Sequence, residues 1–274
     1  MTTTDTPRPD LAALKGRQQQ TWASGDYAAV AARIQPIAER LAEAADLQAG
    51  QRVLDVATGS GNAALAAARC GCQVTGIDYV PELLARARTR AAAEGLQVEL
   101  AEGDAEDLRF PDGAFDAVLS CLGVMFAPDQ HRAAAELLRV CRPGGKVALA
   151  NWTPTSFIGA LLRTVGRYVP PPAGVSSALR WGTEEGLGEL LGSAVAELRC
   201  SREVYVFRFT SPEDFAGFFI TNYGPVHKAF QAQDQAGRQR FHDDLVALAR
   251  EHDRGPGPSV AMPSEYLQAV AVRA

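Results

Sequence analysis

The 274-residue sequence predicts an α/β fold built on a doubly wound, mostly parallel sheet. Two observations support this prediction. Short apolar runs of strand length alternate five times with helical segments between residues 52 and 152, which is typical of parallel strands joined by right-handed crossovers. A Gly-rich turn directly follows the first apolar run, at the edge of the sheet where doubly wound proteins bind their ligands.

The first 48 residues are predicted to form an N-terminal arm with helices. Residues 1–20 are polar and indicate a mobile arm that becomes helical further along. A single helix is expected to begin with Asp26 as its N-cap and to end before Gly50. Its buried face is marked by apolar residues three and four apart, namely Val30, Ile34, Ile37 and Leu41.

Residues 50–152 are predicted to be a ligand-binding core of five strands. The strands are expected at residues 52–57, 73–77, 97–101, 115–120 and 146–152. Helices are expected between them, from the Gly-rich turn to Arg69, over residues 81–94 with Pro81 in the first turn, and over 128–141.

The pattern changes after Trp152, and residues 153–260 are predicted to form a helical cap with a sixth strand. Helices are expected at 157–168 and 183–191, a strand at 203–209, and three helical segments within 211–252. A closing strand is expected within 264–273. No linker is visible, so we predict a single domain over residues 1–274.

Composition narrows the class of function. Hydrophobic residues make up 47% and charged residues 22%, as in globular proteins, and 27 Lys and Arg against 32 Asp and Glu give a net charge of −5. An acidic balance disfavours nucleic acid as a partner, and no apolar stretch approaches the ~20 residues of a membrane span. The N-terminus lacks a signal-peptide pattern, and five scattered cysteines favour a reducing cytoplasm without a metal site. We therefore expect a cytoplasmic protein with a small-molecule substrate, and self-association into a homodimer stays open.

The Gly-rich turn allows two kinds of ligand. Gly59, Gly61 and Ala64 fit the G-x-G-x-x-A pattern of a dinucleotide site, which would make the protein an NAD(P)-dependent oxidoreductase. Asp55 precedes this turn, and its carboxylate would repel a pyrophosphate held at the helix N-terminus. A ligand that is cationic at this point is favoured instead, such as S-adenosylmethionine, which has a sulfonium, an ammonium and no phosphate.

Two more carboxylates follow successive strands at the same edge. Asp78 ends the second strand, where it can accept hydrogen bonds from both hydroxyls of a ribose. Asp104 follows the third strand, where it can accept from the amino group of an adenine. Three acids at three successive strand ends are the strongest functional signal in the chain.

With these motifs, residues 52–152 resemble the class I S-adenosylmethionine-dependent methyltransferases, most closely the small-molecule branch that includes the ubiquinone- and menaquinone-biosynthesis type. The family's acid and alternating glycines correspond to residues 55–61, with Ala57 in place of the first glycine. The resemblance implies a Rossmann-like, seven-stranded sheet with an antiparallel strand near one edge. Residues 266–273 are expected to form that antiparallel strand.

The resemblance also implies which residues contact the cofactor. S-adenosylmethionine would be held by Asp55, Ala57, Gly59, Gly61, Asp78, Tyr79, Asp104, Ala105, Ser120, Cys121 and, from the arm, Tyr27. Such an enzyme transfers a methyl group by in-line displacement, here in a capped pocket to a small apolar or aromatic molecule. A non-catalytic S-adenosylmethionine-binding protein is an open alternative.

Aromatic residues indicate where the substrate binds. Eight of the 20 aromatic residues lie between Tyr205 and Phe230, a density typical of a core or of an apolar pocket. The predicted pocket residues are Trp22, Phe218, Phe219 and Tyr223. A general base is needed only if the accepting atom must lose a proton, and His227 and His131 are the candidates, with exposed helix histidines as the alternative interpretation.

Overall fold

A computed structural model describes residues 10–172, 174–257 and 259–274. Its strands are β1 (Arg52–Val56), β2 (Gln73–Asp78), β3 (Val98–Glu102), β4 (Phe115–Cys121), β5 (Cys141–Trp152), β6 (Val195–Phe209) and β7 (Val260–Arg273). They form one seven-stranded sheet in the order β3-β2-β1-β4-β5-β7-β6. The first five strands are parallel, and β7 lies antiparallel between β5 and β6. The predicted fold class is therefore confirmed.

The helices surround this sheet on both faces. They are α1 (Leu11–Trp22), α2 (Tyr27–Arg33), α3 (Gln35–Ala44), α4 (Asn62–Arg69), α5 (Pro81–Ala93), α6 (Gln130–Val140), α7 (Phe157–Tyr168), α8 (Glu184–Leu191), α9 (Pro212–Asn222), α10 (Gly224–Gln231) and α11 (Gln235–His252). Short 3-10 turns occur at Val124–Phe126, Ala178–Gly182 and Gly192–Ala194. Helices α3 and α4 pack together beside β1 and β5, α6 packs on β4 and β5, and α7 and α11 cover β7. Within the described ranges, no helix has the length and apolar character needed to span a membrane.

The N-terminal segment differs from the prediction in two ways. The expected mobile arm falls partly on residues 1–9, which lie outside the described residues, and from Leu11 onward the chain forms α1, capped by the Asp10 carboxylate. The single helix expected from Asp26 is two helices that meet at Ile34. Pro36 in the first turn of α3 explains the break, because proline has no N–H to donate to the carbonyl four residues earlier, at Ala32, and its ring crowds that carbonyl. Asp26 makes no side-chain capping bond.

Strands β6 and β7 are longer than predicted. Strand β6 begins at Val195 rather than at residue 203, and β7 begins at Val260 rather than at residue 266. The added half of β6 carries Glu197, Arg199 and Arg202 at the open edge of the sheet, mostly exposed. Its sequence therefore lacks the apolar alternation that marks a half-buried strand.

Candidate active site

A cavity of about 890 Å³ lies at the carboxyl edge of the parallel strands. Its walls come from the turn after β1, the ends of β2 and β4, the segment after β3, and helices α1 and α2. This is the edge at which the sequence predicts ligand binding. We call it the polar cavity because three carboxylates line it, those of Asp78, Asp104 and Glu106.

The turn after β1 has an unusual backbone. Ala57, Gly59 and Gly61 all have left-handed conformations, with φ of 55°, 55° and 89°. A left-handed conformation costs an L-residue such as alanine about 1–2 kcal/mol, and glycine avoids this cost. This explains why the family has a glycine at the position of Ala57. Ala57 and Gly59 line the polar cavity, whereas Gly61 lies against α5, where a Cβ would come within 3.1 Å of the Ala87 Cβ.

Asp55 supports this turn from behind. One carboxylate oxygen accepts hydrogen bonds from the Thr58 hydroxyl at 2.6 Å and from the Ala64 amide at 2.8 Å. The other oxygen has no partner among the residues described. Burial raises the pKa of Asp55 to about 7, although the two hydrogen bonds oppose the rise. The carboxylate does not line the cavity, so the expectation that it directly meets a cationic ligand is replaced by a role in holding the turn.

Arg90 supports the same turn and is a residue that sequence reasoning missed. Its guanidinium donates to the Ser60 carbonyl and to the Asn62 side-chain oxygen, both at 2.7 Å. In the sequence it is one of several arginines on an ordinary helix, and no motif marks it.

Asp78 is fixed at the floor of the polar cavity. Its two oxygens accept hydrogen bonds from the Gly59 amide at 2.8 Å and the Val80 amide at 2.9 Å. Burial raises its pKa to about 6, while the backbone hydrogen bonds lower it. Each oxygen keeps a second lone pair, so the carboxylate can accept two further hydrogen bonds from a ligand. Tyr79 lines the cavity beside it.

Asp104 lines the polar cavity from the segment that follows β3. One of its oxygens accepts from the Glu106 amide at 2.9 Å, and the other lies 2.6 Å from the Lys15 ammonium. Lys15 also lies 2.5 Å from the Glu106 carboxylate. Burial lowers the pKa of Lys15, but the hydrogen bonds to Asp104 and Glu106 outweigh burial, so its pKa is raised. Ala105 lines the cavity between these acids.

Lys15 belongs to a helix face that covers the polar cavity. Lys15, Gln18, Gln19 and Trp22 are three, four and seven residues apart and therefore lie on one side of α1. Gln18 donates to the Phe126 carbonyl at 3.1 Å, and Gln19 donates to the Tyr79 carbonyl at 2.5 Å. The polar character of this segment predicted a mobile arm, but these side chains bind the rim of the cavity.

The end of β4 forms another part of the wall. Ser120 is buried and its hydroxyl joins the Val56 carbonyl to the Val124 amide, so it positions the backbone and does not line the cavity. Cys121 does line the cavity, and burial raises the pKa of its thiol. Leu122 follows in a left-handed conformation, with φ of 62°, and turns the chain into the Val124–Phe126 turn.

A second cavity of about 340 Å³ adjoins the first. The two share Trp22, Tyr27, Ile34, Leu122 and Phe126. We call the second one the apolar cavity because its remaining walls are all hydrophobic or aromatic: Val30, Trp152, Ile158, Phe207, Phe219 and Tyr223.

Three of the four predicted pocket residues line this apolar cavity, and Phe218 does not. Phe218 is half-buried elsewhere, with the Arg33 guanidinium 4.3 Å from its ring centre and with Phe209 beside it. Helical periodicity places Phe218 and Phe219 on different sides of α9, so only one of the two neighbours reaches the cavity.

Neither candidate histidine lies at either cavity. The His227 ring pairs with the Ile220 carbonyl at 2.9 Å and with the Gln231 side chain at 2.8 Å. His131 is exposed, 3.3 Å from the Arg180 guanidinium. The structure therefore places neither histidine where it could take a proton from a molecule bound in these cavities. In the parts of the chain that are described, no group of three His, Cys, Asp or Glu side chains could hold a metal ion.

The methyltransferase-domain family model matches residues 54–149. The chain belongs to the class I S-adenosylmethionine-dependent methyltransferases. A Mycobacterium tuberculosis protein named only as uncharacterized is 42% identical over 268 residues, which span 97% of this chain and 93% of that protein. A demethylmenaquinone methyltransferase of Thermus thermophilus is 44% identical over 109 residues, 39% of this chain and 50% of that enzyme. The crystal structure of a candidate methyltransferase from Bacillus halodurans shares the fold, with a TM-score of 0.58, 22% identity, and coverage of 86% of this chain and 97% of that one.

Proposed function

We propose that this enzyme transfers a methyl group from S-adenosylmethionine to a small, uncharged apolar or aromatic molecule bound in the apolar cavity. One observation supports this most strongly: a polar cavity lined by carboxylates shares a wall with a cavity whose lining is entirely hydrophobic and aromatic. A cofactor rich in hydrogen-bond donors suits the first, and a molecule without charge suits the second.

The residues of the polar cavity fit S-adenosylmethionine. The Asp78 carboxylate has two free lone pairs for the ribose hydroxyls, and Asp104 has acceptor capacity for the adenine amino group. The left-handed turn exposes its backbone to the amino-acid end, and the buried charge of Asp55 lies behind that turn. Tyr27 packs over Gly59, where a Cβ would lie 3.6 Å from its ring.

The same features disfavour a dinucleotide. Two phosphate charges at this turn would lie close to the carboxylates of Asp55 and Asp78, which are both buried. Arg90 does not offset this repulsion, because its guanidinium binds the turn's own Ser60 carbonyl and the Asn62 side chain.

When bound, S-adenosylmethionine supplies an electrophilic methyl group on a sulfonium. The chain's own contribution is to orient the acceptor and exclude water. Phe126 and Tyr223 each pack edge to face against Trp22, which lies in the wall shared by the two cavities. Burial raises the pKa values of Tyr27, Tyr223 and Cys121, so these groups stay protonated near neutral pH and do not act as bases. The proposal therefore assigns the rate mainly to positioning.

Separate titrations with S-adenosylhomocysteine and NAD(H), followed by calorimetry, test the cofactor assignment. We expect binding of S-adenosylhomocysteine and no binding of NAD(H), and the reverse result would overturn the proposal in favour of an oxidoreductase. Transfer of a radiolabelled methyl group to a panel of uncharged aromatic compounds tests the reaction. Tight cofactor binding with no transfer to any panel member would favour the non-catalytic binding protein.

A further inference from the structure

We propose that Tyr27 and Tyr223 together bind one hydrogen-bond-accepting oxygen of an otherwise apolar, uncharged ring compound. This inference deepens the proposed function and rests on it, because it concerns the substrate side of the same site. It specifies what the substrate must carry at the boundary between the two cavities.

The residues that line the apolar cavity carry few polar side-chain atoms. These are the hydroxyls of Tyr27 and Tyr223 and the indole nitrogens of Trp22 and Trp152. All four are hydrogen-bond donors and none is charged. No hydrogen bond joins any of them to a protein atom among the described residues. A ligand that satisfies these donors offers an acceptor atom and has no net charge, because a buried charge without a partner is strongly unfavourable.

The two tyrosines lie where the cavities meet. Tyr27 lines both cavities, and Cys121 and Asp78 line the polar one with it. Tyr223 lines the apolar cavity alone, with its ring centre 6.5 Å from that of Tyr27. Both rings also pack edge to face against Trp22, with ring centres 5.5 Å and 5.7 Å from it, so the two tyrosines form one wall of the apolar cavity.

The tyrosine pair would orient a bound molecule. An oxygen held by both hydroxyls would lie at the Tyr27 side of the apolar cavity, where it adjoins the polar cavity. The rest of the molecule then extends toward Ile158, Phe207 and Phe219, which offer only apolar surface. Tyr27 and Tyr223 thus fix the orientation of the bound ring compound. The ring atoms next to its oxygen then face the polar cavity.

Two matched probes test the inference without requiring the natural substrate. The probe 1-tetralone carries a carbonyl oxygen where tetralin has a methylene group, and both are uncharged two-ring compounds. Calorimetry in the presence of saturating S-adenosylhomocysteine measures their affinities for the wild-type protein. Water solvates the ketone better than the hydrocarbon, so tighter binding of the ketone requires hydrogen bonds from the protein. We expect at least about a tenfold preference for 1-tetralone, as two hydrogen bonds would give.

Variants then locate the source of the preference. In Tyr223→Phe and in Tyr27→Phe we expect the preference for 1-tetralone to fall below about threefold, with tetralin binding retained. Tyr168→Phe is the matched control, since the Tyr168 hydroxyl donates to Asp244 away from both cavities. Affinity for S-adenosylhomocysteine in Tyr223→Phe should stay within twofold of the wild type, because Tyr223 lines only the apolar cavity.

Three outcomes would overturn the inference. Equal or tighter binding of tetralin, an undiminished preference in both tyrosine variants, or no binding of either probe to a protein that binds S-adenosylhomocysteine would each do so. In all three cases the cofactor assignment would stand. Failure of the proposed function itself appears differently, as failure to bind S-adenosylhomocysteine.

Discussion

The polar and apolar cavities share five residues, but they are built from different kinds of sequence. The polar cavity comes mainly from strand ends and the turns that directly follow them, where a carboxylate and the amides it binds are close along the chain. The apolar cavity draws on residues as far apart as Trp22 and Tyr223, from α1, α2, β5, α7, β6 and α9. Local sequence therefore determines the first cavity, and long-range packing determines the second. This difference is why the cofactor class can be deduced from a motif and the substrate cannot.

The largest effect is expected for the acid behind the glycine turn. In the Asp55→Asn variant, residue 55 is uncharged at every pH. The wild-type carboxyl has a pKa of about 7 in the folded protein and an ordinary, lower pKa in the unfolded chain. A raised folded pKa gives stability that is present at acid pH and lost as pH rises through 7. From pH 5 to pH 8 the wild type should lose roughly 2–3 kcal/mol of unfolding free energy relative to the variant, measured by urea denaturation.

Asp116→Asn is the control with the opposite sign. The Arg52 amide and the Arg142 side chain lower the pKa of Asp116, so its contribution is complete above its ordinary pKa and lost only in acid. The difference in unfolding free energy between Asp116→Asn and the wild type should stay constant between pH 5 and pH 8. If the unfolding free energies of Asp55→Asn and the wild type changed with pH in parallel, the role assigned to Asp55 would be contradicted.

The next effect separates the two cavities directly. Asp78→Ala removes the acceptor proposed for the ribose hydroxyls and also frees the Gly59 amide. Affinity for S-adenosylhomocysteine should fall about 10- to 100-fold, equivalent to about 1–3 kcal/mol, while binding of tetralin changes little. Asp243→Ala, on the exposed side of α11, is the control. Unchanged calorimetric affinity in Asp78→Ala would remove this residue from the cofactor site.

A pH titration of cofactor binding tests the same carboxylate without altering its position. The folded protein holds the pKa of Asp78 at about 6, and the ionised form accepts hydrogen bonds. Affinity for S-adenosylhomocysteine should be nearly constant above pH 7 and about tenfold lower at pH 5 than at pH 7, because a proton competes with the ligand. Asp78→Asn should bind weakly at all these pH values, without this slope.

The smallest effect concerns the helix that covers the polar cavity. Lys15→Met removes the ammonium that lies between Asp104 and Glu106, a partly exposed ion pair of the kind worth about 0.5–1 kcal/mol. Amide hydrogen exchange in α1 should become about two- to fivefold faster, with no change in β4. Arg17→Met, on the exposed side of the same helix, should leave exchange unaltered. Equal acceleration in both variants would show that the Lys15 ion pairs do not hold the helix.

The difference between contacts that are local in the sequence and contacts between distant residues also explains how much of the fold and of the site can be predicted from the sequence. The core strands and the positions of Asp78 and Asp104 follow from short apolar runs and the polar residues that end them. Asp55 lies within β1, where side chains alternate between the two faces of the sheet, and its carboxylate lies against the Ala64 amide rather than the cavity. The position of His227 could not be predicted. A helical pattern indicates which face of the helix a residue is on but not what it contacts, and here the ring contacts the Ile220 carbonyl. Lys15 has no local signal because its partners are about 90 residues away.

Helix α1 has a consequence for the order of events in turnover. It carries both Lys15, which forms ion pairs at the polar cavity, and Trp22, which lies in the wall shared by the two cavities, so one element borders both. We expect a displacement of α1 to open both cavities at once. Ligand exchange at one cavity would then be coupled to exchange at the other.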